Sequence, residues 1–157
     1  MSANKRTDTG SRLINAPAAV IYEAYLNPES VMSWRPPEGM KCEIFEFNPH
    51  QGGIFKMCFS FIDEHHDTPG KTTAHADVFS GIFEELKEDR KIVEAVNFES
   101  DNSAFAGTMK VITQLETVPH GTFVTIRCED VPSGIKESDH QKGIQSTLEN
   151  LAKFTEQ

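Results

Sequence analysis

The chain has 157 residues, 15 basic and 24 acidic, for a formal net charge of −9, and 38% of its residues are hydrophobic. That is ordinary globular usage at the length of one domain with one core, and it excludes disordered, collagen-like and coiled-coil chains. The acidity argues against nucleic-acid binding, which draws its affinity from Lys and Arg displacing counterions around phosphates.

Residues 1–10 are polar and aperiodic and read as a flexible N-terminus. A short strand over Arg12 to Asn15 leads into Ala16-Pro17, where proline suits the start of a helix. Val20, Ile21, Ala24 and Tyr25 recur at helical spacing until Asn27-Pro28. Pro28 to Trp34 is a second, shorter helix, stopped by Arg35-Pro36-Pro37. The period then shortens to that of strands: Met40 to Phe47, Ile54 to Ile62, Ala74 to Leu86, Lys91 to Glu99, Gly107 to Val118 and Thr122 to Val131. Most of their connections are short, which favours an antiparallel meander. The polar turn Asn48 to Gly53 ends in Gly52-Gly53, read as a turn that needs positive φ. The chain closes on a long amphipathic helix, with Ser138 and Gln141 in the pattern of a capping box and Ile144, Leu148 and Leu151 on one stripe.

The expected fold is therefore α+β: a curved antiparallel sheet of six to seven strands wrapped around a long C-terminal helix, with two short helices between strands 1 and 2. The domain is expected to run over residues 11–157 without an internal boundary. No apolar run approaches the roughly 20 residues that span a bilayer, and Met1 to Asp8 lacks the apolar stretch of a secretory signal. A cytoplasmic protein without membrane contact is expected.

Eleven Phe stand against 2 Tyr and 1 Trp. Strand alternation gathers Phe45 and Phe47 on the second strand, Phe55, Met57, Phe59 and Phe61 on the third, and Phe98 and Met109 further on. Rings and thioethers on one face form either a packed core or the wall of an apolar pocket. Gly143 inside the last helix marks a need for space or close approach. Trp34 would stand near the opening of such a pocket.

Glu94 shares the phase of Ile92, Val96 and Phe98, which puts a carboxyl on the apolar side, where it must be paired, hydrogen-bonded or protonated. It is the candidate polar anchor, and with His75 a weak candidate for proton transfer. The run Glu64-His65-His66-Asp67 has no metal-ligand spacing, and no metal or cofactor is implied. His75 and Asp77 read as a solvated strand face, and His140 as surface. Cys42, Cys58 and Cys128 form no C-x-x-C pair and read as reduced, semi-buried thiols. There is no Gly-x-Ser-x-Gly nucleophile elbow.

Several phrases, in order, resemble the family of homologues of the activator of heat-shock protein 90 ATPase, within the START-like, polyketide-cyclase-like helix-grip (SRPBCC) superfamily. They are Ile14-Asn15-Ala16-Pro17 with Tyr22 and Ala24; Asn27-Pro28-Glu29 with Trp34; Gly52-Gly53-Ile54-Phe55; Gly81-Ile82-Phe83-Glu84-Glu85-Leu86; and Gly143 with Leu148 and Leu151. Asp130 to Ile135, followed by Asp139-His140 and Gly143, resembles one bacterial branch. The resemblance implies a cavity between sheet and last helix that holds a hydrophobic small molecule. Trp34, Phe45, Phe47, Phe55, Met57, Phe59 and Phe61 would line it, with Glu94, Val96, Phe98 and Met109 from later strands and Gly143, Ile144 and Leu148 from the helix. Small-molecule binding without catalysis is the leading expectation, in a monomer or homodimer. A cyclase- or dehydratase-like enzyme, or a module that contacts a chaperone, is the alternative.

Overall fold

The computed structural model describes residues 6–62 and 76–156. Within them the chain runs β1 (Arg6–Ile14), α1 (Ala18–Leu26), α2 (Pro28–Trp34), β2 (Met40–Phe47), β3 (Ile54–Phe61), β4 (Ala76–Lys87), β5 (Lys91–Phe98), β6 (Met109–Val118), β7 (Gly121–Val131) and α3 (Glu137–Thr155). A single 3-10 turn, Ser103–Phe105, lies between β5 and β6. The seven strands form one antiparallel sheet in the order β1-β7-β6-β5-β4-β3-β2.

Strand β1 corrects the expected N-terminus. Residues from Arg6 onward are not frayed but paired with β7 along a nine-residue strand, with Asp8 opposite Cys128 and Ile14 opposite Thr122. Polar composition concealed it, because the strand has one face in solvent and pairs with a partner more than a hundred residues away. The first helices match expectation closely. Asn27 leaves α1 and caps α2, its side-chain oxygen accepting from the backbone N–H groups of Glu29 and Ser30, with Pro28 at the first position. In α3 the capping box does not form: the helix starts at Glu137, the cap is Lys136, and no side chain bonds there.

Two irregularities decide which side chains face the interior. Between β2 and β3 the register shifts from Ile44 opposite Met57 to Glu46 opposite Lys56. The extra residue is Phe45, so Ile44 and Phe47 both turn inward while Phe45 is left 58% exposed. Strict alternation had placed Phe45 on the inner wall; the bulge removes it. Between β4 and β5 a second shift follows Phe83. The turn before β3 is bound to this strand, with Gly52 N–H donating to the Phe83 carbonyl at 2.7 Å. Gly52 sits at φ +86, as that turn requires.

The core lies between the concave face of the sheet and the three helices. Ile14, Ile21, Tyr25, Val31 and Trp34 meet Phe55, Met57, Phe83 and Ile92 from the sheet and Leu148 and Leu151 from α3, each essentially fully buried. Burying each such side chain stabilises the fold by about 2 kcal/mol. Helix α3 packs chiefly on β1, with α1 and α2 as its other neighbours. It thus covers one end of the concave face far more than the other. No described helix is long and apolar enough to cross a membrane.

Candidate functional site

The inner face of β3, β4 and β5 is an aromatic wall. Phe55, Phe83 and Phe47 form one group, with centroids 5.0 and 5.6 Å apart, and Phe59, Phe79 and Phe98 a second, at 4.9 and 6.2 Å. Phe55 and Met57 are fully buried and Val96 and Met109 nearly so. Phe47, Phe59, Phe61 and Phe98 are only part-buried, as are Cys42, Ile44 and Val111 on the same face. The packed end of the wall is core; the part-buried end lies away from β1, where α3 rests.

Glu94 stands in the middle of this wall, opposite Phe83 on one side and Val111 on the other. It is fully buried. Its carboxylate accepts two hydrogen bonds from Arg35, from Nη1 at 2.7 Å and Nη2 at 2.6 Å. Parallel bonds of this kind are the strongest ion-pair geometry a side chain can make. Strand phase thus aims Glu94 inward, without a bulge to turn it out. Both of its oxygens are engaged by a permanent cation, so it acts as a charge partner and is poorly placed to carry protons.

Arg35 was legible in sequence only as the end of α2. A carboxyl in apolar phase needs a partner or a proton, but the cation that pairs with this one is 59 positions away, and nothing local points to it. Its guanidinium lies 5.5 Å from the centroid of the Tyr25 ring, a cation–π contact. Tyr25 stacks edge-on against Trp34 at 4.8 Å. The Trp34 indole N–H donates to the Ala24 carbonyl at 2.9 Å, which satisfies the one polar group of a ring that is 1% exposed. Trp34 therefore fastens α1 to α2 from within. Burial works against the charge of Arg35, but Glu94 more than offsets it and holds the guanidinium above its ordinary pKa. Burial also pushes the Tyr25 phenol up to about 12, the Cys42 thiol to about 11 and the Cys128 thiol to about 12. Around neutral pH these neighbours are uncharged, so Arg35 and Glu94 are the fixed charges at the centre of the wall.

A second polar cluster was not anticipated. Asp8 on β1 is 1% exposed. Its carboxylate accepts from Arg6 Nε at 2.9 and 3.1 Å, and His140 Nδ1 of α3 lies 2.6 Å from Oδ2. Arg6 also donates to the Ile135 carbonyl. His140, expected at the surface, is instead half-buried and joins α3 to β1. Burial alone would raise the Asp8 carboxyl, yet Arg6 and His140 together hold it below its ordinary value.

On α3, Ile144 and Leu148 are buried as the stripe requires. Gly143 is not a point of close approach: a Cβ there would meet no atom within 4 Å. The close approach is on the facing strand, at Gly10, where a Cβ would lie 2.5 Å from Ile144 Cγ2. His75 and the run Glu64 to Asp67 lie outside the described residues. Asp77, read as part of a solvated face, is 6% exposed and faces inward opposite Phe59. Among the described residues no cluster of His, Cys, Asp and Glu could hold a metal ion. A cleft of about 450 Å³ runs between the linker after α2 and the last turns of α3, with Pro36, Met40, Asn150 and Phe154 in its walls. Trp34 alone among the expected lining residues borders it. Asn150 crosses its floor to donate to the Pro36 carbonyl at 3.0 Å.

The comparisons with known proteins agree with this architecture. The sequence matches the family described as "Activator of Hsp90 ATPase homolog 1-like protein" over residues 15–156. A crystal structure of a protein from Chromobacterium violaceum superposes with a TM-score of 0.84 at 26% identity, covering 97% of this chain and 99% of that one. An AHSA1-like protein from Aeromonas hydrophila gives 0.72 at 16% identity, with 96% and 92% covered. A protein from Rhizobium leguminosarum gives 0.74 at 15%, with 98% and 95% covered. No curated protein matches the sequence closely enough to count as a relative. A seven-stranded curved sheet gripping a C-terminal helix, and a family match over nearly the whole chain, lead to one conclusion: the chain belongs to the activator of Hsp90 ATPase homolog 1-like family, within the START-like helix-grip superfamily.

Proposed function

We propose that this domain binds a small, predominantly apolar molecule against the concave face of its sheet, at the part-buried end of the aromatic wall. One observation carries the reading: the inner wall is apolar and only part-buried at Val111, Phe59, Phe98 and Cys42, yet encloses a hydrogen-bonded ion pair in its middle. Apolar walls with one or two convergent polar groups are how proteins hold and orient small ligands. Binding would draw on burial, at about 25 cal/mol per Å² of apolar surface, with the polar pair fixing orientation. A cyclase- or dehydratase-like reaction would need a side chain free to exchange protons, and both oxygens of Glu94, one of the two candidates, are bonded to Arg35. The domain would act in the cytoplasm as a monomer or homodimer, without nucleic acid or membrane.

The test is titration with the neutral dye Nile red, followed by its emission, in the wild type and in Val111→Trp. Val111 neighbours Glu94 across the β5–β6 ladder, so an indole there would obstruct the part-buried wall. Dye emission should rise in the wild type and fall at least tenfold in apparent affinity in the variant, with far-UV circular dichroism unchanged. No emission change in the wild type, or equal affinity in a folded Val111→Trp, would remove the reading.

A further inference from the structure

Arg35 has five N–H donors, and two of them are bonded to Glu94. The side chain is 11% exposed, so protein does not wholly enclose it. One face is covered by the Tyr25 ring. The N–H groups not bonded to Glu94 would be the donors available to a molecule held against the wall at this point.

The charge at that point is already balanced. Arg35 is neutralised by Glu94 at 2.6 and 2.7 Å. The Lys and Arg side chains whose ion pairs are described elsewhere on the sheet, such as Lys56, Lys110 and Arg127, are bound to Glu99, Glu84 and Glu129 on exposed ground. An anion placed on Arg35 would share its cation with the Glu94 carboxylate and be repelled by it, in surroundings that screen poorly. A carbonyl or hydroxyl oxygen accepts the same N–H bonds without that repulsion.

Resting on the binding function proposed above, we infer that the site selects uncharged molecules carrying a hydroxyl or carbonyl oxygen at Arg35, and discriminates against carboxylates of the same apolar body. Glu94 is the residue that sets this preference. It touches the ligand's charge only through Arg35, so its role is that of a specificity-determining partner.

The experiment compares 1-decanol with decanoate at about pH 8, where the carboxyl is fully ionised, by displacement of Nile red. The wild type should prefer the alcohol at least tenfold. Glu94→Gln keeps the shape of the carboxyl and leaves Arg35 a bare cation, so decanoate should gain at least tenfold while decanol changes little. Should Glu94→Gln not fold, the paired Arg35→Met, Glu94→Met variant replaces both charges by apolar groups of similar length, a change that buried ion pairs commonly tolerate. It should bind Nile red and lose the preference for alcohol. A wild type that binds decanoate as tightly as decanol, or a folded Glu94→Gln with the wild-type ratio, overturns the inference while leaving apolar binding intact. Absence of Nile red binding in the wild type overturns instead the reading on which it rests.

Discussion

Adding one methyl group to either side of the α3–β1 contact should have opposite effects. In Gly10→Ala the new Cβ lies 2.5 Å from Ile144 Cγ2 and 3.0 Å from Gln145 Nε2. Ile144 is 5% exposed, and its β-branched side chain is held to one χ1 well in a helix, so the methyl cannot swing aside. Helix α3 must lift from β1, and overpacking of this kind costs about 1–3 kcal/mol. The gain from replacing a strand glycine, about 0.5–1 kcal/mol, offsets part of it. The net loss is about 1–2 kcal/mol, and at about 2–4 °C per kcal/mol for a domain of this size Tm should fall by about 2–8 °C. In Gly143→Ala the new Cβ meets nothing within 4 Å, so the helix keeps its position and gains about 1 kcal/mol of propensity, a rise of about 2–4 °C. Thermal unfolding by circular dichroism reads both variants against the wild type. A Gly10→Ala variant as stable as the wild type, or a destabilised Gly143→Ala, would show that α3 does not rest on β1 at this point.

Asp8→Asn tests the cluster that joins β1 to α3. A carboxyl held below its ordinary value contributes stability that is present above the unfolded pKa, near 4, and is lost as pH falls through the folded value. The variant should therefore be less stable by about 1–3 kcal/mol at neutral pH, with the gap closing as the medium is acidified through the folded-state value; urea unfolding followed from neutral into acid would sink the account if the gap were constant. Two phenylalanines separated by the β2 bulge should behave differently. Phe45→Ala, at an exposed position, should change stability by no more than about 0.5 kcal/mol, and Phe55→Ala, fully buried against Phe83, should lose about 3–5 kcal/mol. Similar losses in the two would mean that Phe45 faces inward after all.

The elements with strong local signals were legible. Helix α2, bracketed by Asn27-Pro28 and Pro36-Pro37, and β3, with Phe55 and Met57 alternating against Lys56 and Cys58, were found at nearly their observed limits. What escaped had its cause elsewhere in the chain. Strand β1 is held by β7, the bulge at Phe45 by the registers on either side of it, and Arg35 by a carboxylate on β5. Strand phase could say that Glu94 points inward but not what meets it. Gly143 drew notice because a helical glycine is unusual, whereas Gly10, which the contact requires, lies in polar sequence with no period to make it conspicuous.

The ion pair at the centre of the wall is difficult to explain by stability alone. Taking Arg35 and Glu94 out of water costs several kcal/mol for each ion, and well-packed apolar side chains in their place would commonly be as stable or more so. Its position gives it a separate effect. Arg35 ends α2 and Glu94 lies in mid-strand on β5, so their two hydrogen bonds hold the α2–β2 linker over the sheet while α3 rests on β1. The linker is fastened to α3 in turn, by Ser146 accepting from the Glu38 N–H at 3.0 Å and by Asn150 on the Pro36 carbonyl. Sheet, linker and C-terminal helix are thus joined in a ring. An apolar replacement could fill the same volume, but it would give neither the fixed angle of that closure nor hydrogen-bond donors at the centre of the aromatic wall.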